Sequence, residues 1–82
     1  MTRQEIEEIV RNFLTVDFEV PKDMIYPEAR LKEDLEIDSL DLVQVIVFLH
    51  KSFGFKPKDG ELAQLETLSQ FCDYIEEKVS QK

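Results

Sequence analysis

Hydrophobic residues recur at the spacing of an amphipathic α-helix in three segments of the chain, and the first segment begins close to the N-terminus. Thr2 and Glu5 form a T-x-x-E capping box, a pattern that marks the start of a helix. Apolar side chains follow at helical spacing at Ile6, Ile9, Val10, Phe13 and Leu14. We expect this helix to end near Thr15, where the pattern stops.

The second segment predicts a helix from Asp38 or Ser39 to about Phe53, ended by Gly54. Residues 42–49 are rich in β-branched side chains and would also suit a buried strand. The apolar pattern continues well beyond the length of such a strand, which favours a helix. The residues expected to face the interior from this helix are Val43, Ile46, Leu49 and Phe53.

The third segment opens with a second capping box, formed by Thr67 and Gln70. One face of the predicted helix then carries Leu68, Phe71, Cys72, Ile75 and Val79. Before it, residues 59–63 have room only for a short turn of helix.

A long connection separates the first two helices, because residues 16–32 show no sustained period and include Pro21 and Pro27. The apolar residues spaced along it as anchors to a core are Val20, Ile25 and Leu31. Three main helices and one short helix predict a small all-α four-helix bundle with a long first connection. We expect a single domain over residues 1–82, without internal repeats.

Composition and charge exclude several classes of function. The 82 residues include 18 acidic and 10 basic side chains, and the net charge of -8 argues against binding to a nucleic-acid backbone. The hydrophobic fraction of 43% is ordinary for a globular domain. The acidity is uneven, since residues 33–41 contain five acids and no base, whereas residues 42–58 contain three lysines and no acid.

The residues do not form a recognisable catalytic or metal-binding motif. Cys72 and His50 are the only residues of their types, which excludes an internal disulfide and a Cys/His zinc site. A calcium loop beginning at Asp34 fails because its sixth and twelfth positions are Ser39 and Val45. A serine hydrolase is excluded because the G-x-S-x-G motif is missing and His50 would lie about 16 Å along the helix from Ser39. We expect a solvated His50 and a Cys72 in the core.

The chain also lacks the patterns that direct a protein to a membrane. No apolar stretch approaches the ~20 residues of a membrane-spanning helix, and the N-terminus does not resemble a signal peptide. A cytoplasmic protein without membrane insertion is therefore expected.

Ser39 lies within the acidic segment, at the predicted start of the second helix, and it supports two interpretations. The acids and the serine are suited to capping a helix and complementing its dipole. They are equally suited to a serine that another protein modifies, with the acids serving as a docking surface for a basic partner, since a phosphate is well placed at a helix N-terminus.

Residues 34–41, which read D-L-E-I-D-S-L-D, resemble the D-L-G-x-D-S-L-D signature of acyl carrier proteins. The likeness runs from the first helix to residues 73–75 and includes the long first connection and the Thr67-Leu68 pair that opens the last helix. The resemblance implies a carrier rather than an enzyme, in which a phosphopantetheinyl transferase attaches 4′-phosphopantetheine to Ser39 through a phosphodiester. Acyl groups would be held as thioesters on the thiol of this arm, and partner enzymes would supply the catalysis.

The resemblance also implies roles for other positions. The surface recognised by partner enzymes would include Asp38, Leu40, Asp41 and Val47. The interior that shelters an acyl chain would be lined by Val43, Ile46, Leu49, Phe53 and Ile75. The partners would be acyl-transferring, ligase or synthase enzymes with basic docking patches, and the carrier would be a monomer.

Two features depart from the family pattern. Glu36 replaces a glycine, and the second helix, which is rich in glutamate in the family, has Gln44, His50, Lys51 and Ser52 at such positions. The change in the second helix argues against a general fatty-acid carrier that serves every synthase enzyme and favours a carrier dedicated to one pathway. The resemblance as a whole implies partners from fatty-acid biosynthesis or from a dedicated lipid- or polyketide-like pathway. Two alternatives stay open: a peptidyl or D-alanyl carrier loaded by an adenylating enzyme, and an unmodified acidic helical adaptor.

Overall fold

The computed structural model describes residues 2–38, 40–58 and 60–80. Its α-helices are α1 (Arg3–Asp17), α2 (Leu42–Phe53) and α3 (Leu68–Ser80). Within the described ranges there is no strand, and the one isolated β-bridge joins Arg30 to Thr67. The all-α class is therefore confirmed. The short helix expected at residues 59–63 is a 3₁₀ turn at Leu62–Gln64, and a second 3₁₀ turn lies at Lys22–Met24.

The predicted caps account for the starts of α1 and α3. The Thr2 hydroxyl accepts from the Glu5 N–H, and the Glu5 carboxylate accepts from the Thr2 N–H, as the capping box requires. At α3, the Thr67 hydroxyl accepts from the Gln70 N–H at 3.2 Å, but the Gln70 side chain accepts from the Glu66 N–H instead of that of Thr67. Helix α1 ends at Asp17, two residues beyond the expected end. Val16 and Asp17 are exposed, so they add nothing to the buried apolar stripe from which the end was predicted.

The long connection between α1 and α2 is fastened to the start of α3. The Ala29 carbonyl accepts from the Leu68 N–H at 2.8 Å, and the Pro27 carbonyl accepts from the Ser69 N–H at 2.9 Å. These bonds satisfy N–H groups that have no partner within the helix itself. The connection is also held by its apolar anchors, because Val20 is buried and Ile25 and Leu31 pack against the core.

A single hydrophobic core lies between the three helices. Its most deeply buried side chains come from all of them: Ile6, Val10, Leu14, Leu49 and Ile75. The rings of Phe13 in α1 and Phe48 in α2 stack with their centroids 3.9 Å apart. At the surface, the Arg3 guanidinium joins α1 to α3 by hydrogen bonds to Asp73 and Glu76. This packing confirms the inward faces expected for α1 and α3.

The expected inward face of α2 is wrong at one position. Val45, Leu49 and Phe53 are buried and Ile46 is partly buried, whereas Val43 is 67% exposed. The buried residues follow an i, i+4, i+8 spacing, which rotates the helix away from the expected orientation. Because α2 has apolar residues around nearly its whole first two turns, its sequence pattern does not specify which face is buried.

Candidate functional site

The acidic segment that leads into α2 alternates between buried and exposed residues. Leu35 and Ile37 are buried in the core, whereas Glu36 and Asp38 are exposed. The Ile37 N–H donates to the Leu31 carbonyl at 2.9 Å, which fixes the path of the segment. Glu36 has φ of +57°, so it adopts the left-handed conformation that glycine accommodates most easily. The glutamate that replaces the family's glycine therefore occupies a backbone conformation that favours glycine.

Asp38 and Asp41 are joined by hydrogen bonds in the turn that precedes α2. Asp38 Oδ1 accepts from the Leu40 N–H at 3.0 Å and from the Asp41 N–H at 3.2 Å. The Asp38 N–H in turn donates to Asp41 Oδ2 at 3.1 Å. Ser39 itself lies outside the described residues. Its two sequence neighbours, Asp38 and Leu40, are both exposed.

The regular part of α2 begins later than the sequence indicates. The first residue of the α-helix is Leu42, not Asp38 or Ser39. The reason is the tight turn ahead of it, in which the Asp41 N–H also donates to the Asp38 carbonyl at 3.1 Å. The i to i−4 pattern starts with the Val45 N–H, which donates to the Asp41 carbonyl at 3.0 Å. At the other end, Gly54 adopts the left-handed conformation and closes the helix as expected.

Part of the acidic charge is neutralised by a base that lies just outside the acidic segment. Arg30 Nη1 is 2.7 Å from Glu33 Oε2, and Arg30 Nε is 3.6 Å from Asp34 Oδ2. Among the described residues, no ion pair involves Glu36, Asp38 or Asp41. Within the acidic segment, the carboxylates without an ion pair are therefore the three nearest Ser39 in the sequence: Glu36, Asp38 and Asp41.

Three apolar side chains lie exposed beside these acids. Leu40 is 85% exposed, Val43 is 67% exposed and Val47 is 47% exposed. Val43 and Val47 are four residues apart on one side of α2, and Leu40 lies in the turn that precedes the helix. We call this set, Leu40, Val43 and Val47, the outer apolar row. Leu40 and Val47 were expected at the surface, whereas Val43 was expected inside, and the helix orientation explains the difference.

A small apolar hollow lies beneath the start of α2. Its volume of about 20 Å³ has room for about one water molecule. Its lining includes Ile37, Leu42, Val45, Leu62, Leu65 and Phe71. A wider groove of about 100 Å³ shares Ile37, Leu42, Leu62 and Leu65 with the hollow and extends to Asp38. The groove therefore connects the neighbourhood of the acids to the edge of the core.

The five residues expected to shelter an acyl chain occupy different environments. Leu49, Phe53 and Ile75 are buried, Ile46 is partly buried and Val43 faces outward. None of them is among the residues that line the hollow. The hollow is instead lined from α2 by Leu42 and Val45. The i, i+4 spacing of Val45, Leu49 and Phe53 is the sequence signal that would have identified Val45.

The side chains of His50 and Cys72 lie where the sequence predicts. His50 is exposed in the last turn of α2. Cys72 is buried in the core, and this burial raises the pKa of its thiol to about 11. Across the described part of the chain, no three side chains of the metal-ligating types come together to hold an ion. None of the described helices has the length and apolar character needed to cross a membrane.

Comparisons with known proteins agree with this geometry. Residues 4–75 match the family model described as "Phosphopantetheine attachment site". The acyl carrier protein of Rubrobacter xylanophilus is 40% identical over 74 residues, which cover 90% of this chain and 86% of that protein. The acyl carrier protein of Thermosynechococcus vestitus is 36% identical over 80 residues, which cover 98% and 99% of the two chains. That of Chlorobium phaeobacteroides is 36% identical over 78 residues, or 95% and 100%.

The family match extends over most of the described structure, from α1 into α3. Proteins of this family are carriers rather than enzymes, and their cofactor is covalently bound 4′-phosphopantetheine. The relatives are nearly as long as this chain, and the similar length, the helical fold and the D-S-L-D motif all support the same family. The chain belongs to the acyl carrier protein family of phosphopantetheine-attachment proteins.

Proposed function

We propose that Ser39 carries the 4′-phosphopantetheine arm and that this chain delivers acyl groups to enzymes of fatty-acid biosynthesis or of a dedicated lipid- or polyketide-like pathway. The observation that carries the proposal is the D-S-L-D motif, which lies inside the matched region immediately before α2. When bound, the arm supplies the thiol on which acyl thioesters form. The protein's own residues hold the attachment point and present it to partners.

The residues around Ser39 fit an attached phosphodiester. Asp38 and Leu40, its neighbours in the sequence, are both exposed, which supports access by a transferase to this part of the surface. The carboxylate of Asp38 is occupied by two backbone N–H groups, so it stabilises the turn rather than filling the approach. This arrangement supports the attachment at Ser39.

Intact mass spectrometry tests the attachment. The purified protein is incubated with coenzyme A and a broad-specificity phosphopantetheinyl transferase, and we expect a gain of one phosphopantetheinyl group. Ser39→Ala should abolish the gain. Ser52→Ala, which alters an exposed serine in the last turn of α2, should preserve it. A wild-type protein that gains no mass would contradict the proposal and favour the unmodified adaptor.

The surface around the arm is proposed to recognise the partner enzymes. Asp38 and Asp41 provide negative charge, and the outer apolar row provides surface that has no partner within the described fold. The partners would be the phosphopantetheinyl transferase and acyl-transferring, ligase or synthase enzymes with basic groups near the arm. A monomeric carrier located in the cytoplasm, as the sequence suggests, is part of this proposal.

The acyl cargo is proposed to enter through the groove beside Asp38. The hollow beyond the groove is too small for a chain of several methylenes, so α2 and the Leu62–Gln64 turn must separate to admit one. Burial of each methylene contributes ~0.8 kcal/mol, so a sheltered chain stabilises the bundle. Thermal melts of octanoyl and acetyl forms should show the octanoyl form melting higher. Equal melting temperatures would place the cargo outside the bundle.

A peptidyl or D-alanyl carrier is the second candidate, and the acid-free second helix is the observation that favours it. The two carriers differ in the enzyme that loads the arm. Holo-protein offered fatty acids with an acyl carrier ligase should be acylated under the first proposal. Loading only by amino acids with their adenylating enzymes would favour the second.

A further inference from the structure

The exposed side of α2 changes from apolar to basic along its length. Val43 and Val47 belong to the outer apolar row, and Lys51 follows Val47 by four residues on the same side of the helix. His50 follows Val47 by three residues and is also exposed. From residue 42 to residue 58 the sequence contains no acid.

Nothing in the described structure compensates this basic end. The ion pairs among the described residues involve Arg3, Arg30 and Lys78, and none involves Lys51 or His50. Two further lysines, Lys56 and Lys58, are exposed just beyond the helix. The basic end therefore presents positive charge to solvent in a protein whose net charge is -8.

The two charged ends of this face act separately on a docking protein. Asp41 and Lys51 are ten residues apart, which corresponds to about 15 Å along a helix. This separation exceeds the Debye length of about 8 Å at physiological ionic strength. A partner surface therefore meets a negative region, an apolar row and a positive region in that order.

We propose that the enzyme dedicated to this carrier docks on α2 with a surface of matching, opposite polarity. That surface has basic groups opposite Asp38 and Asp41, an apolar floor beneath the outer apolar row, and acidic groups opposite Lys51 and His50. This inference rests on the proposed carrier function and deepens it. Enzymes whose docking surface is basic throughout are disfavoured, because their distal basic groups are repelled by Lys51.

The same face does not suit a second copy of this chain as its main occupant. Three exposed side chains fall far short of the ~800 Å² that each partner buries in a typical stable interface. An enzyme extends its contacts beyond the row, into the arm and the acids around it. The transient docking of a carrier on an enzyme is consistent with such a small apolar centre.

Charge reversal on both sides of the interface tests the proposal. The probe is a phosphopantetheinyl transferase with a basic carrier-docking surface, and its dissociation constant with the unmodified protein is measured without coenzyme A. We expect Lys51→Glu to tighten binding by roughly threefold to tenfold, as rim charges do at low salt. Lys22→Glu, an exposed lysine in the first 3₁₀ turn, changes the net charge equally and should leave binding nearly unchanged.

The second half of the test reverses the enzyme. In the transferase, the basic residue that faces the distal end of α2 is replaced by glutamate. Compared with the original transferase, this variant should bind the native carrier more tightly and the Lys51→Glu carrier more weakly. Equal effects on both carriers would overturn the proposal. A merely structural role for Lys51, at the negative end of the helix dipole, would lower the melting temperature of Lys51→Glu without this reversal.

The outcome is independent of the attachment at Ser39. A carrier that gains no phosphopantetheine but shows the charge reversal would contradict the proposed function alone. A carrier that is modified at Ser39 but shows no reversal would contradict the docking inference alone. Concentration-dependent dimerisation that Lys51→Glu abolishes would overturn the assignment of an enzyme as occupant.

Discussion

Asp38 and Asp41 hydrogen-bond to each other across the residue proposed to carry the arm. The Asp38 N–H donates to Asp41 Oδ2 at 3.1 Å, and Asp38 Oδ1 accepts from the Asp41 N–H at 3.2 Å. Two acids that we propose to take part in partner recognition therefore also build the turn that leads into α2. The effect of their charge and that of their hydrogen bonds can be separated by mutation.

Asp38→Ala should lower the free energy of unfolding by about 1 kcal/mol, because the Leu40 and Asp41 N–H groups lose their acceptor in the turn before α2. Asp38→Asn keeps an acceptor oxygen and should retain most of the stability. Urea unfolding measures both. If Asn destabilises as much as Ala, charge rather than hydrogen bonding explains the contribution of Asp38.

The orientation of α2 is tested by two valines two residues apart. Val45→Ala removes two buried methyl groups and should cost about 2 kcal/mol, since Val45 is 4% exposed. Val43→Ala, the matched control on the exposed side, should change the free energy of unfolding by no more than about 0.5 kcal/mol. If denaturant unfolding shows a larger loss of stability for Val43→Ala than for Val45→Ala, Val43 faces the core, as the sequence pattern predicted.

Glu36→Gly should raise the free energy of unfolding by about 0.5–1 kcal/mol, because glycine adopts the left-handed conformation of residue 36 without strain. The greater freedom of glycine in the unfolded chain offsets part of this gain. Glu36→Ala removes the charge but keeps the strained backbone. If alanine matches glycine in thermal unfolding, relief of charge repulsion explains the gain and backbone strain does not.

The buried thiol of Cys72 should remain unreactive beside the thiol of the arm. Burial raises its pKa to about 11, so the reactive thiolate is a very minor species at neutral pH. Titration of the native protein with Ellman's reagent should therefore detect no fast thiol in the apo form and one in the holo form. Cys72→Ala should give the same holo result. A fast-reacting thiol in native apo-protein would contradict the buried placement.

Stability should fall in acid partly through Glu61. Its carboxylate accepts from the Lys58 N–H at 2.9 Å and the Tyr74 hydroxyl at 3.0 Å, and these bonds lower its pKa. A lowered folded-state pKa gives stability that is complete above the ordinary value of 4.5 and is lost as the pH falls through the folded value.

Glu61→Gln should therefore lower the melting temperature at neutral pH and reduce its further fall in acid. Glu8→Gln, which removes the charge of an exposed glutamate in α1, is the control for the change in net charge. Thermal melts between about pH 6 and about pH 3.5 measure both. Parallel profiles for wild type and Glu61→Gln would show that this carboxylate does not link pH to folding.

The sequence alone determined the elements and the motif. Capping residues and a one-sided apolar stripe specify α1 and α3, because only one face of each helix is available for burial. The D-S-L-D motif marks Ser39 as the proposed attachment residue by local residue identity, which does not depend on packing. The uneven distribution of acids and lysines along residues 33–58 also follows from the sequence alone.

Tertiary structure decided what local pattern left undetermined. Helix α2 is apolar on most sides, so contacts such as the stacking of Phe48 on Phe13 decide that Val45 is buried and Val43 exposed. The pairing of Arg30 with Glu33 and Asp34 depends on the turn that the connection makes there, which hydrophobic periodicity does not specify. The hollow likewise draws its lining from distant segments. Periodicity describes one helix at a time, whereas orientation and pocket shape depend on the free energy of the whole core.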